Sequence, residues 1–274
     1  MMGERSSSAS MLSARIGDAI EKCRRQEVAV IPFLTPRDRK YAERELRMSG
    51  NWEAAWFWGG YTAAERACLF LLPDYLTVLL EAPPLESDPD AVLALVEEVV
   101  TEAVAAVRVT GSGYRKLSHR DYLGSILGLG LERDALGDVA VQNEHEAVVF
   151  CPQRIAAFLT ETLTKIASDT VKCKPYTPDE NFTDGKKYAP ISGTVASQRL
   201  DCVVAALTGM SREEAQRAVR GGFVEVEFET EERVDLFLTT PQTISVRGYG
   251  RFILQAFDGE TRKGRLRLRA DKLI

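Results

Sequence analysis

The 274-residue sequence predicts an α+β chain, and three observations lead there. Over residues 67–176 the hydrophobic spacing switches between periods of 3.6 and 2 and spells strand, helix, strand, strand, helix, strand after one excursion. A stretch rich in Pro, Gly and Asp then interrupts the pattern. Beyond it, two short helices run into a set of alternating strands. The expected organisation is an N-terminal α+β region (1–66), an α-β plait (67–176), a linker (177–192) and a C-terminal unit (193–274).

Bulk properties set limits. With 45% hydrophobic and 27% charged residues the chain is in the ordinary globular range, and its length suits two or three compact domains. No apolar run reaches about 18 residues, so no membrane span is expected. The start, MMGERSSSAS, has an acid and no apolar core, which argues against a secretory signal; it is expected to be a disordered tail. Cys23, Cys68, Cys151, Cys173 and Cys202 are scattered, with no C-x-x-C pair, and the histidines are His119 and His145. Reduced thiols in a cytoplasmic chain follow, with no zinc site and no cofactor.

Each element has a local reason. Leu12, Ile16, Ala19, Ile20 and Cys23 have helical spacing over 10–25, and Val28 to Ile31 reads as a strand. Thr35 can cap a helix with Pro36 at its first position and Asp38 three after the cap; Gly50 ends it. Trp52 to Trp58 fits a strand, with Trp56 and Trp58 in the core. Cys68 to Leu72 is a β run ended by Pro73. Pro83, Pro84 and Pro89 mark a loop, 90–102 is helical, and 106–110 is a strand. Ser118 opens a helix, 139–142 and 147–151 form a hairpin around Asn143-Glu144, and Pro152 to Ile166 is amphipathic with Phe158 on its apolar face. Thr170 to Lys174 is the last strand of the plait, which is of the ferredoxin-like kind.

In the C-terminal unit, Leu200, Val203, Val204 and Leu207 recur at i, i+3, i+4, i+7, with Ser197 placed to cap. Gly209 breaks that helix. Ser211 and Glu214 form the capping box of the next, in which Ala215, Ala218 and Val219 share one side. Arg212, Gln216 and Arg220 form a stripe on another, with Arg217 nearby. Gly221-Gly222 stops it, FVEVEF reads as a strand, and 243–247, 251–257 and 265–269 complete a small sheet.

Charge is uneven. The formal net charge of −5 divides into 15 basic and 12 acidic residues over 185–274, and 20 basic and 28 acidic over 1–184. Residues 247–274 alone hold 8 basic and 3 acidic side chains. A polyanion partner at the basic end and a merely solvated surface are both compatible with this. Chemistry favours folded RNA: guanidinium forks bond two phosphate oxygens at once, and two free helix N-termini near Arg199 and Arg212 would add positive dipole ends. Arg247, Arg251, Arg262, Lys263 and Arg265 would extend the surface along the sheet, reading shape and backbone rather than bases. Arg115, Lys116, His119 and Arg120 form a possible second RNA patch, with an ordinary capped helix as the other reading.

The stretch SQRLDCVVAALTGMSREEAQRAVRGGFVEV resembles the S-four RNA-binding domain, through S-x-R-L-D and S-R-x-x-A-x-x-x-x-x-x-G-x-V. With GGYTAAER (59–66), KLSHRDYLGSILGLGLERDALGD (116–138), ISVRGYGRF and GETRKGRLRL (244–268), nearly the whole chain is similar to the YlmH family, which has photosystem II S-four relatives in cyanobacteria and plastids. That resemblance implies an RRM-like (ferredoxin-like) plait and a C-terminal S-four-type αL domain. It implies a non-catalytic RNA-binding protein that docks on ribosomal RNA of the large ribosomal subunit, with tRNA, in ribosome-associated quality control of stalled translation. It carries RNA contact onto Arg199, Ser211, Arg212, Gln216, Arg217 and Arg220. A departure is Glu227, where the family has asparagine; with Glu229, Glu231 and Glu232 it weakens RNA contact at that edge. The expected state is a cytoplasmic bacterial monomer with no membrane partner.

Other signals point elsewhere. R-L-D resembles the catalytic motif of pseudouridine synthases, but Asp201 lies inside the two-helix unit and is read as ordering it or pairing with an arginine. His119-Arg120-Asp121 lacks the Asn that a kinase loop needs, since Ile126 stands there. GLGLERDALG lacks the third glycine of a nucleotide fingerprint, and the plait lacks the aromatic signature of RRM strands. The rival functions are an RNA-modifying enzyme with an S-four accessory domain and a cell-division adaptor.

Overall fold

In the computed structural model, residues 10–274 are described in full, and residues 2–9 only as the start of a helix. The disordered start expected from the sequence falls on residues outside those described in full. The chain divides into two compact units, Met1–Gly185 and Lys186–Ile274.

The first unit begins with α1 (Met2–Arg24), β1 (Ala29–Leu34) and α2 (Pro36–Met48). Thr35 caps α2 as expected, its Oγ1 accepting the Asp38 amide at 3.2 Å. The run 52–58 opens as a 3-10 turn over Trp52–Ala54, so that β2 is only Ala55–Trp58. Next come β3 (Ala67–Leu71), a single turn α3 (Asp74–Thr77) that the sequence reading missed, and α4 (Pro89–Ala103). Strand β3 lies between β1 and β2 and is antiparallel to both. One sheet therefore takes strands from both sides of residue 66, where a domain boundary was expected. The cause is the all-buried ACLFL run, which needs cover on both faces.

The second sheet of this unit is built from β4 (Ala105–Gly111), α5 (His119–Leu127), β5 (Val139–Asn143), β6 (Glu146–Cys151), α6 (Gln153–Thr162), β7 (Lys165–Ile166) and β8 (Asp169–Tyr176). Its order is β5-β6-β4-β8-β7, with antiparallel pairing throughout. Helix α6 stops four residues before Ile166, which β7 takes instead, and Phe158 is exposed rather than on the buried face. Ser118 opens α5 as expected and forms a capping box with Asp121.

Side-chain alternation assigns the layers. Val107, Val109, Val149 and Val171 pack beneath α5 and α6. Ala106, Ala140, Val148 and Phe150, on the opposite face, join Trp56, Phe70 and the α4 valines Val92, Val96 and Val100 in a second core. Ile31, Leu69 and Leu71 face α1 and α2 in a third.

The two units divide between Gly185 and Lys186, inside the expected linker (177–192), while residues on either side of that point are structured. Phe182 packs in the second core, 5.1 Å from the Tyr61 ring and 5.6 Å from that of Phe150. Residues 188–192 belong to β9 (Tyr188–Val195), the first strand of the second unit. This unit continues with α7 (Leu200–Thr208), α8 (Arg212–Arg220), β10 (Val224–Val226), β11 (Glu229–Thr230), β12 (Gln242–Val246), β13 (Gly250–Glu260) and β14 (Leu266–Leu273). The antiparallel sheet runs β11-β10-β12-β13-β14-β9, and β9 covers an edge that would otherwise expose β14. Both helices lie on one face over Val224, Ile244, Phe252, Leu254 and Leu268. No helix among the described residues is long and apolar enough to cross a membrane.

Candidate nucleic-acid interface

The two short helices meet through one buried acid. Asp201, in the first turn of α7, is 0% exposed. Its Oδ2 accepts from Gln216 Nε2 at 2.7 Å and from Arg212 Nε at 3.2 Å, both on α8. Arg199 donates from Nε to Oδ1 at 3.2 Å and from Nη2 to Oδ2 at 3.4 Å. Burial alone would raise the carboxyl's pKa. The Gln216, Arg199 and Arg212 donors outweigh it and hold the group down, from 3.8 to about 2. A buried carboxylate thus fixes two guanidinium groups whose outer edges stay in water.

The start of α7 is already occupied, and that of α8 is partly so. Arg199, not Ser197, takes the cap position of α7, and the Ser197 hydroxyl lies 3.4 Å from Cys202 Sγ. The Leu200 and Asp201 amides donate to Leu236 O and Val234 O at 2.8 and 3.1 Å. On α8, the Ser211 Oγ accepts the Glu214 amide at 3.3 Å, and Glu214 Oε2 accepts the Ser211 amide at 2.8 Å. The start of α7 is therefore closed to phosphate, while on α8 the cap takes the Glu214 amide. The sequence could not reveal that 234–238 folds back across α7.

The predicted arginines fall into separate groups. Arg217 and Arg220 are exposed on α8, continuing the side that Arg212 and Gln216 begin. Arg247 and Arg251 flank the β12–β13 turn, with guanidinium groups 5.7 Å from the Phe223 ring and 5.2 Å from the Phe228 ring. Arg262 and Lys263 occupy the far turn of the β13–β14 hairpin, roughly 30 Å further along the strand. Arg265 is tied to β9, donating to Thr194 O at 2.7 Å. Part of the acidic edge is consumed internally: Glu227 accepts the Thr243 amide, and Glu231 binds Arg233 at 2.8 Å. A residue that the sequence reading passed over is Phe237, 66% exposed and bridged to Arg199 through the backbone. Its neighbour Leu238 is buried and Leu236 packs on the core, an alternation that could have marked it.

In the first unit, Arg115 pairs with Asp121 at 3.3 Å and Lys116 with Glu144, while His119 and Arg120 lie exposed on the first turn of α5. Arg115, Lys116, His119 and Arg120 thus share one end of the β4–β8 sheet, and the charges of Arg115 and Lys116 already face acids. Among the described residues no cluster of His, Cys, Asp and Glu could hold a metal ion.

Comparison with known proteins bears on this geometry. Residues 106–180 match the family described as "Putative RNA-binding domain in YlmH". That stretch is similar to an RNA-binding domain of that type, and the matched residues contain the patch at Arg115 to Arg120. It is 28% identical over 213 residues to "Ribosome-associated protein quality control protein P2" of Bacillus subtilis (strain 168), covering 77% of this chain and 75% of that protein. A solved structure, "Cell division protein ylmH from Streptococcus pneumoniae", is 19% identical with a TM-score of 0.46, covering 62% of this chain and 91% of that one.

Proposed function

We propose that this chain is a non-catalytic RNA-binding protein that docks on ribosomal RNA of the large ribosomal subunit, beside peptidyl-tRNA, during rescue of stalled translation. In this reading the β4–β8 sheet is an RRM-like plait and the second unit an S-four-type RNA-binding domain, acting in a cytoplasmic monomer. The observation that carries it is the array around Asp201: Arg199, Arg212 and Gln216 are fixed on one buried carboxylate, next to exposed Arg217 and Arg220. Arginines ordered in advance lose little side-chain entropy on meeting phosphate, and their planar forks suit its oxygens. The name of the B. subtilis relative supports the ribosomal setting. A wholly buried Asp201 with three side-chain partners is suited to organising the surface rather than to attacking a base.

Co-sedimentation tests the reading. The chain should migrate with purified large subunits, and Arg212→Glu with Arg217→Glu should release it. Migration unaffected by that double change would sink the assignment of the site. Modified bases in RNA incubated with the chain would point to the enzyme instead.

A further inference from the structure

We infer that a single-stranded stretch of RNA binds the uncovered end of the β4–β8 sheet, with a base on Tyr114 and phosphates on Lys172 and Lys174. The inference rests on the RNA-binding reading above and adds a second contact surface in the other unit. The sheet face turned away from α5 and α6 would be the natural platform of such a plait, but Ala106, Ala140, Val148 and Phe150 bury most of it against β3 and α4. Only one end of that face remains open.

Strand register defines the open end. Arg108 stands opposite Lys174, and Thr110 opposite Lys172. All four share the face of Ala106, because side chains alternate along a strand. Lys172 and Lys174 are exposed and lie about 6.6 Å apart along the strand, a spacing that suits successive phosphates of an extended chain. Arg108 is positioned over the Tyr176 ring at 4.0 Å, with Glu146 at 3.8 Å as its acidic neighbour.

Beyond Gly111 the chain turns into the loop that carries Tyr114, which is 82% exposed. The loop is held on several sides. Gly111 N donates to His145 O at 2.7 Å, Ser112 N to Thr170 O at 2.9 Å and Leu117 N to Glu144 O at 2.8 Å. The Ser112 hydroxyl donates to buried Asp169, and His145 Nδ1 lies 3.0 Å from Arg115 O. Tyr114 follows β4 by three residues, at the strand end where Thr110 stands opposite Lys172, and an exposed aromatic ring and exposed ammonium groups on one such end can serve unpaired nucleotides: stacking for the base, ammonium groups for the backbone. An apolar partner would find no apolar surface here, since the sheet's apolar part is already covered.

The test uses the full chain carrying Arg212→Glu and Arg217→Glu, so that the second unit does not dominate. Two fluorescein-labelled RNAs are compared by anisotropy, a hairpin with a single-stranded 3′ tail and a blunt hairpin. Tyr114→Ala should weaken binding of the tailed RNA roughly tenfold, and Tyr114→Phe should retain it. Lys172→Glu with Lys174→Glu should flatten the log-log salt dependence by roughly two units. Unchanged affinity and slope in both variants, with unchanged circular dichroism, overturns the inference. On the unmutated chain, 4-thiouridine in the tail should crosslink within 108–114 or 172–174; crosslinks confined to 186–274 overturn it as well. If Arg212→Glu with Arg217→Glu leaves ribosomal co-sedimentation intact while Tyr114→Ala still weakens tail binding, the second unit's role fails and this surface stands.

Discussion

Gln216 on one helix donates to the wholly buried Oδ2 of Asp201 on the other, at 2.7 Å, and the same oxygen receives Arg212 at 3.2 Å. This acid joins α7 to α8. Removing it leaves two guanidinium groups without their counter-charge, but both reach water, so the loss lies below that of a sealed ion pair. Asp201→Asn should destabilise the second unit by about 2 kcal/mol. Amide hydrogen exchange over α7 and α8 should report faster opening, while exchange in β4 and β6 should not change.

The same carboxyl sets a pH response. Its folded pKa lies below the unfolded value, so its contribution is fully present above pH 3.8 and is lost as pH falls toward about 2. The contribution is about 1–2 kcal/mol once solvent around the arginines is allowed for. Acid titration followed by near-UV and NMR signals of the second unit should show a loss between pH 4 and 2 that Asp201→Asn lacks.

Arg217 and Arg220 lie exposed on α8, outside the Asp201 array. Arg217→Ala and Arg220→Ala should therefore leave thermal stability within about 0.5 kcal/mol. Each should lower the salt slope of RNA binding by roughly one unit if it meets a phosphate. A stability loss without a change in slope would contradict the assignment.

Ser211 spends its hydroxyl on the α8 capping box, with Glu214 returning the bond. Ser211→Ala should cost about 1 kcal/mol by helix fraying. RNA affinity should fall only as far as α8 frays, which Ser211→Asp, an alternative cap, should restore in stability. If Ser211→Asp restores stability but RNA binding stays lost, Ser211 touches RNA directly.

Gly60 has φ +98, and a Cβ there would lie 2.4 Å from Phe150 Cδ1 in the core. Beside it, Tyr61 donates to Asp138 Oδ2 at 2.8 Å, and the same acid receives the Glu65 and Arg66 amides at 2.8 and 3.1 Å. Gly60→Ala should destabilise the first unit by about 2–3 kcal/mol through overpacking and strain. Thermal unfolding should detect it, with the second unit's signals unmoved.

Short-range chemistry was legible in the sequence by itself. The caps at Thr35, Ser118 and Ser211, the stop at Gly209 and the β5–β6 hairpin, whose turn is Glu144-His145, one residue past the expected Asn143-Glu144, each depend on residues within a few positions of one another. Much of the element order followed from them. Tertiary structure alone decided the rest, because partners distant in sequence compete for the same surfaces. It paired β3 with β1 and β2, drew Phe182 and β9 out of an expected linker, and laid 234–238 across the start of α7. The arginine stripe could be read from spacing, but its organisation could not: burying Asp201 needs both helices and the returning chain in place, and only a buried carboxylate can hold two arginines so firmly.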